Sequence, residues 1–292
     1  MSDAPVLVLR GRELRPSPER PLVMGIVNAS PESFSDGTLV GGLDEQVGRA
    51  LTMRDAGADL IDVGGESLVT DRPAVRVEEE IERVVPLVER LAGEGVLVSI
   101  DTWKADVARA ALAAGAAMVN DVSGLRDPAI AEACAAAGAG LVVTHNPAAP
   151  KQKTFPAHGD VAGFLGERLS AAVALGVGED RIVLDPGPDL GKSPAGTVAA
   201  LRALPELAAL GRPILLALSR KDFIGAITGR SPRERLAGTL AAIGHGLDAG
   251  GSIVRVHDVP ATIDFLAVRA ALRGEREIPA DLRLRDSLRR AV

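Results

Sequence analysis

Residues 183–191 read VLDPGPDLG, an apolar run that stops at Asp185 and breaks into a loop rich in proline and glycine. A strand buried on both faces reads as a continuous apolar run, and ligands of parallel α/β folds sit just beyond the carboxyl ends of such strands. Asp185 is therefore placed either to meet a ligand or to cap the helix that follows. The rest of the chain decides between the two, because the same pattern recurs.

It recurs eight times, as a β-branched or leucine-rich run, a polar or glycine-rich loop, and a helix-length segment with 3.6-residue apolar spacing. The first four runs are LVMGIVN ending at Asn28, LIDVGGE ending at Glu66, VLVSID ending at Asp101, and MVNDVSG around Asn120 and Asp121. The others are LVVTH ending at His145, IVLDP, ILLALS ending at Ser219, and SIVRVHDV, which carries Arg255, His257 and Asp258. Helical spacing falls near 44–56, 77–91, 105–113, 129–137, 161–175, 195–210, 233–247 and 261–272. Eight βα units predict an α/β fold, a (β/α)8 TIM barrel over roughly residues 21–273. Residues 6–14 alternate about Gly11 and predict a short N-terminal hairpin. No linker interrupts the repeat, so the chain reads as one domain, 1–292, with a charged tail at 274–292. The segment GPDLGKS at 187–193 is not a phosphate-binding P-loop. Only three residues separate its glycines, and Pro186 stands where a glycine is needed.

Composition sets the outer bounds. With 292 residues, 47% hydrophobic and 25% charged, the chain is globular, and its net charge of −6 argues against a general binder of nucleic acid or membrane surfaces. The single cysteine, Cys134, excludes a disulfide and a cysteine-cluster metal site and fits a reducing cytoplasm. No apolar stretch reaches bilayer-spanning length without interruption, and the start of the chain lacks the long apolar run of a signal peptide.

In such a barrel the eight strand ends converge, bringing Asn28, Asp62, Asp101, Asn120, Asp185, Lys221, Arg255 and His257 around one mouth. Burying so many polar groups is costly without a ligand, although Arg255 and His257 taken singly also suit ion pairs with Asp62 or Asp258. Asp185, Asp101, Asn120 and Lys221 suit a flat, guanidine-like heterocycle, since a carboxylate accepts two parallel N–H bonds from such an edge. Arg255, His257 and Asn28 suit an oxyanion. Ser35, Asp36 and Gly37 form a loop placed to close over the mouth. For a leaving phosphate group, fixed positive charge and Mg²⁺ stabilise the developing negative charge.

As a set, these motifs resemble the dihydropteroate synthase family, folate-pathway enzymes that are the target of sulfonamides. The matching stretches are MGIVNASPESFSDG from Met24, AGADLIDVGGES from Ala56, VSIDTWKADVARAAL from Val98 and VNDVSG from Val119. LDPG from Leu184, LSRKDFIG from Leu218 and RVHDV from Arg255 complete them in the family's order. The resemblance implies that 6-hydroxymethyl-7,8-dihydropterin pyrophosphate binds in the mouth, loses pyrophosphate, and is captured at its methylene carbon by the amine of 4-aminobenzoate. Asp185, Asn120, Asp101 and Lys221 would hold the pterin. Arg255, His257 and Asn28 would meet the pyrophosphate, with Mg²⁺ at Asn28, and Asp36 would help assemble the site. Asp36, Asp101, Lys221, Arg255 and His257 are thus the expected catalytic set, and a homodimer is the expected assembly.

The departures from the family pattern fall on the acceptor side. Asp222 stands where the family has serine, which would set a carboxylate against that of the aminobenzoate. Leu190 replaces a phenylalanine, GGES runs on as LVTDRPAV with Arg72 as a displaced equivalent, and NPAAPKQKTFP follows His145. Ser67, Arg72, Leu190, Ser219 and Asp222 are the expected acceptor-side residues. Two other readings stand beside the synthase. One is a pterin-binding paralogue that lacks synthase activity or uses another acceptor. The other is a non-catalytic pterin carrier, which would have no need of Asn28, Asp36 and Arg255.

Overall fold

The computed structural model describes residues 5–29, 42–67, 73–152 and 159–289. A hairpin of β1 (Leu7–Leu9) and β2 (Arg12–Leu14) precedes eight parallel strands. These are β3 (Leu22–Asn28), β4 (Leu60–Gly64), β5 (Leu97–Asp101), β6 (Met118–Asp121), β7 (Gly140–Thr144), β8 (Ile182–Asp185), β9 (Leu215–Leu216) and β10 (Ile253–Val256). Their spatial order is β8-β7-β6-β5-β4-β3-β10-β9. The ends of this row meet where Leu184 bridges Ile214 and donates its N–H to the Pro213 carbonyl at 2.9 Å, closing the barrel.

Successive side chains of a strand point to opposite faces, and this period of two sorts each buried run into an inner and an outer set. Val23, Val27, Ile61, Val63, Val98, Ile100, Val119, Leu141, Leu184 and Val254 belong to the outer set and pack under the helices. Leu22, Met24, Leu60, Met118, Val142, Val183, Leu215 and Ile253 fill the inner floor with Leu7 and Leu9 of the hairpin. Arg10 fixes the hairpin there, its guanidinium donating to the carbonyls of Ala116 (2.8 Å) and Leu112 (2.5 Å). One end of the barrel is thereby plugged. Two residues beyond Leu60, Met118, Val142, Val183 and Ile253, on the same face, stand Asp62, Asn120, Thr144, Asp185 and Arg255. The strand period itself delivers these polar groups to the open end.

Ten helices cover the barrel among the described residues: α1 (Leu43–Asp55), α2 (Val77–Gly93), α3 (Ala105–Ala113), α4 (Pro128–Ala137), α5 (Val161–Ala174), α6 (Pro194–Arg202), α7 (Leu204–Ala208), α8 (Asp222–Thr228), α9 (Leu236–Asp248) and α10 (Val259–Leu272). The single helix expected over 195–210 is two. Pro205 has no N–H to continue the ladder, so the chain breaks at Ala203 and restarts. The helix expected from 233 begins at Leu236, because Ser231 and Glu234 form a capping box around a separate 3-10 turn, Pro232–Glu234. Cys134 lies wholly buried within α4, and burial pushes its thiol up to about 12. From Gly274 the tail is exposed, with one 3-10 turn at Asp286–Leu288. No described helix is long and apolar enough to cross a membrane.

Candidate active site

Asp185 is the last residue of β8 and is almost wholly buried. Its Oδ1 accepts the Gly187 N–H at 2.7 Å, while its Oδ2 accepts no hydrogen bond from the described residues. Burial raises its carboxyl above the ordinary range, against the pull of that N–H and of the nearby Lys221 and Lys192. Only glycine fits the turn that follows. Gly187 has φ +63°, and a Cβ there would lie 2.1 Å from the His145 carbonyl oxygen.

Across the mouth, Arg255 reaches in from β10 and bridges two carboxylates, Nε to Asp62 Oδ2 at 2.6 Å and Nη2 to Asp101 Oδ2 at 2.7 Å. Asn120 Nδ2 donates to the same Asp62 oxygen at 3.2 Å. Asp62 thus orients both Arg255 and Asn120. Asp62 Oδ1 and Asn120 Oδ1 are buried acceptors that find no donor among the described residues. Buried polar atoms are usually satisfied, so two such acceptors at one end of a barrel, beside the open oxygen of Asp185, make a candidate place for a ligand's N–H edge. Burial pushes the Asp101 carboxyl up to about 7, with Arg255 opposing the shift.

The cations divide at a kink. Arg220 has φ +58°, in the left-handed region that a non-glycine residue seldom adopts. Its guanidinium pairs with Asp258 at 2.9 Å. Lys221, next in the chain, makes no ion pair among the described residues and lies close enough to Asp185 and Asp101 to lower both carboxyls.

Ser219 Oγ accepts the His257 backbone N–H at 3.3 Å and lies 2.9 Å from His257 Nδ1. The hydroxyl thereby holds the ring from Nδ1 and leaves Nε2 directed away from Ser219. Burial, helped by Arg255 and Arg220, pulls His257 down to about 3 from its usual 6.5. Between these values the unfolded chain binds the proton that the folded one refuses, so stability falls as pH drops from 6.5 towards 3. His257→Gln should remove that slope, on the order of 1 kcal/mol per pH unit, from the melting temperature measured between pH 6.5 and 4. An unchanged slope would mean that His257 is protonated in the fold.

Asn28, half-buried at the end of β3, sits on the same rim, its Oδ1 3.7 Å from where a Cβ on Gly64 would lie. Ser67 is half-buried at the edge of the second loop, and Leu190 is half-buried in the loop after β8. The carboxylate of Asp222, expected on the acceptor side, is exposed and pairs with Arg235 at 2.8 Å. Asp36, with its neighbours Ser35 and Gly37, and Arg72 lie outside the described residues.

Residues 24–257 match the family model described as pterin binding enzyme. The chain is 42% identical over 243 residues to the dihydropteroate synthase of Bacillus subtilis, spanning 82% of this chain and 85% of that one. It is 40% identical over 272 residues to "Inactive dihydropteroate synthase 2" of Mycobacterium leprae, spanning 88% and 92%. A solved structure of the Xanthomonas albilineans dihydropteroate synthase in complex with 7,8-dihydropteroate matches with a TM-score of 0.81 at 43% identity, over 94% of this chain and 100% of that one. The chain belongs to the pterin-binding enzyme family.

Two buried lysines near this mouth escape a reading of strand ends, and the role of Asp62 does so as well. Asp62 was legible as a mouth residue but not as the orienting group for Arg255 and Asn120. Lys192 is buried, its Nζ donating to the carbonyls of His145 (2.7 Å), Gly187 (2.7 Å) and Leu190 (3.2 Å), which ties the β8 loop to the end of β7. Burial pulls its ammonium down to about 7. Lys104 lies between Glu66 Oε2 (2.7 Å) and Glu80 Oε2 (2.6 Å) and also holds the Val75 carbonyl, anchoring the chain beside the second loop.

Proposed function

We propose that this chain is a dihydropteroate synthase, a transferase that condenses 6-hydroxymethyl-7,8-dihydropterin pyrophosphate with 4-aminobenzoate to give 7,8-dihydropteroate and pyrophosphate. The observation that carries the reading is a trio of acceptors without a donor among the described residues, Asp185 Oδ2, Asp62 Oδ1 and Asn120 Oδ1, beside Lys221, which makes no ion pair among them. An aminopyrimidine edge offers the N–H groups those acceptors lack, and its carbonyl and ring nitrogen offer acceptors to Lys221.

In the reaction the C–O bond between the pterin methylene and pyrophosphate breaks while the amine nitrogen bonds to that carbon and gives up a proton to solvent. Buried Asp185 and Asp101 stabilise positive charge spreading into the pterin. Arg255, fixed by two carboxylates, and His257, held by Ser219, face the departing oxyanion as donors that need no rearrangement. No protein nucleophile is required. Asn28 supplies a neutral oxygen, and Mg²⁺, which keeps most of its waters and prefers substrate phosphates, needs little more from the protein. When bound, Mg²⁺ supplies charge neutralisation of the leaving group.

The test is to supply pterin pyrophosphate, Mg²⁺ and 4-aminobenzoate and to measure dihydropteroate. Product supports the synthase. Pterin binding by calorimetry without product supports the second reading, a paralogue, which the likeness to the inactive M. leprae protein keeps in view. A cytoplasmic homodimer belongs to the same proposal, and light scattering on the eluted protein tests the assembly.

A further inference from the structure

Asp185 keeps its direction through one hydrogen bond, the Gly187 N–H to its Oδ1 at 2.7 Å, so the aim of its Oδ2 depends on how Gly187 is held. Gly187 is itself a free-turning residue, at φ +63°, and needs a tie. Its carbonyl receives two, the Leu190 N–H at 3.1 Å and the Lys192 ammonium at 2.7 Å. The same ammonium donates to the His145 carbonyl at 2.7 Å, and the His145 N–H donates to the Asp185 carbonyl at 2.8 Å. Lys192 therefore grips Asp185 from both sides, through Gly187 along the chain and through His145 across the sheet.

Lys192 is 2% exposed, and its third donor is taken by the Leu190 carbonyl at 3.2 Å. An ammonium has three N–H groups, so none is left for a ligand. None of the three goes to a carboxylate either. Desolvating an ammonium among neutral partners is costly, and an uncharged donor would tie the loop with a smaller penalty. Asp185 accounts for the charge. Burial raises its carboxyl, and the Gly187 N–H, Lys221 and Lys192 draw it back down. Burial likewise lowers the Lys192 ammonium, and Asp185 is the foremost group opposing that fall.

We infer that Lys192 is a positioning residue for pterin binding, which touches no ligand itself and, by holding the Gly187 and His145 carbonyls, aims the Asp185 carboxylate at the pterin edge. This rests on the pterin reading of Asp185. Without the ammonium, Gly187 and His145 lose their shared tie, the Asp185 carboxylate loses its fixed direction, and its ionised form loses a nearby cation.

The experiment measures, by calorimetry, the dissociation constant of pterin pyrophosphate with Mg²⁺ in the wild type, Lys192→Met, Asp185→Ala and the double variant, with melting curves on all four. Lys192→Met is expected to weaken pterin binding roughly tenfold, the scale of a lost charged hydrogen bond. On the Asp185→Ala background it should change binding little, because no carboxylate is left to aim, while its cost in melting temperature is the same in both backgrounds. If methionine prevents folding, Lys192→Gln, which keeps two N–H donors and drops the charge, takes its place in the cycle. The pH profile is a second readout and needs no Asp185 variant. The Lys192 ammonium, pulled down to about 7, is charged along the acid side of the profile. Removing it should shift the acid limb of pterin binding to higher pH, since the Asp185 carboxyl loses a cation that draws it down. The other charged groups around the pair, Lys221, Arg255, Asp189 and Asp101, are common to both proteins. Equal losses of affinity in the two backgrounds, or an acid limb that stays in place, overturns the inference. A wild type that does not bind pterin pyrophosphate strikes the pterin reading of Asp185 instead, which keeps the two failures distinct.

Discussion

Arg255→Met is expected to lower the unfolding free energy by about 3–5 kcal/mol, the scale of breaking a buried ion pair by removing one partner. Arg255 lies between Asp62, wholly buried, and Asp101, and Asp62 already carries one orphaned oxygen. Methionine fills much of the volume and leaves two carboxylates facing each other without a cation, so the loss is electrostatic and not a cavity effect. Urea denaturation measures it. The double variant Arg255→Met/Asp62→Asn should recover part of the loss, because one unpaired charge goes with the cation. A single-variant shift below about 1 kcal/mol, the scale of an exposed pair, would show that solvent already screens this bridge.

The second large effect concerns binding. Asp185→Ala should weaken pterin pyrophosphate by about 2–5 kcal/mol, the cost of truncating one side of a buried charge-assisted pair. That corresponds to roughly thirty-fold to several-thousand-fold in the calorimetric dissociation constant. Asp185→Asn, which keeps one acceptor for the Gly187 N–H, should fall between the wild type and alanine. Unchanged affinity in Asp185→Ala would remove the pterin from this end of the barrel.

The barrel was legible because its signal is local. Eight apolar runs at regular spacing need no knowledge of partners, and the period of two along VLDP or MVND already states which side chain faces in with Asp185 or Asn120. The helix break at Pro205 was legible in principle from the missing N–H, but the apolar spacing of 195–210 continues across it and masks the stop. The site was legible as a list of residues and illegible as a set of pairings. Asp62 and Arg255 are 193 residues apart, and nothing in either run says that one orients the other. Nothing in the sequence around Lys192 marks it as buried, since its three carbonyl partners exist only once the β8 loop has turned against His145. Asp222 adds a pairing of the same kind: its carboxylate accepts from Arg235, 13 residues on, which the motif alone does not state.

Cys134 has a practical meaning for anyone who wants to watch this protein work. It is the chain's sole thiol, sealed inside α4 and held far above the range in which a thiolate forms. The native sequence is therefore already a silent background for maleimide chemistry. A cysteine introduced at exposed Ala195, beyond the β8 loop, would be the one position to take a fluorophore, without any prior removal of native residues. A dye placed there would follow the folding and unfolding of the β8 side of the barrel without disturbing the native thiol.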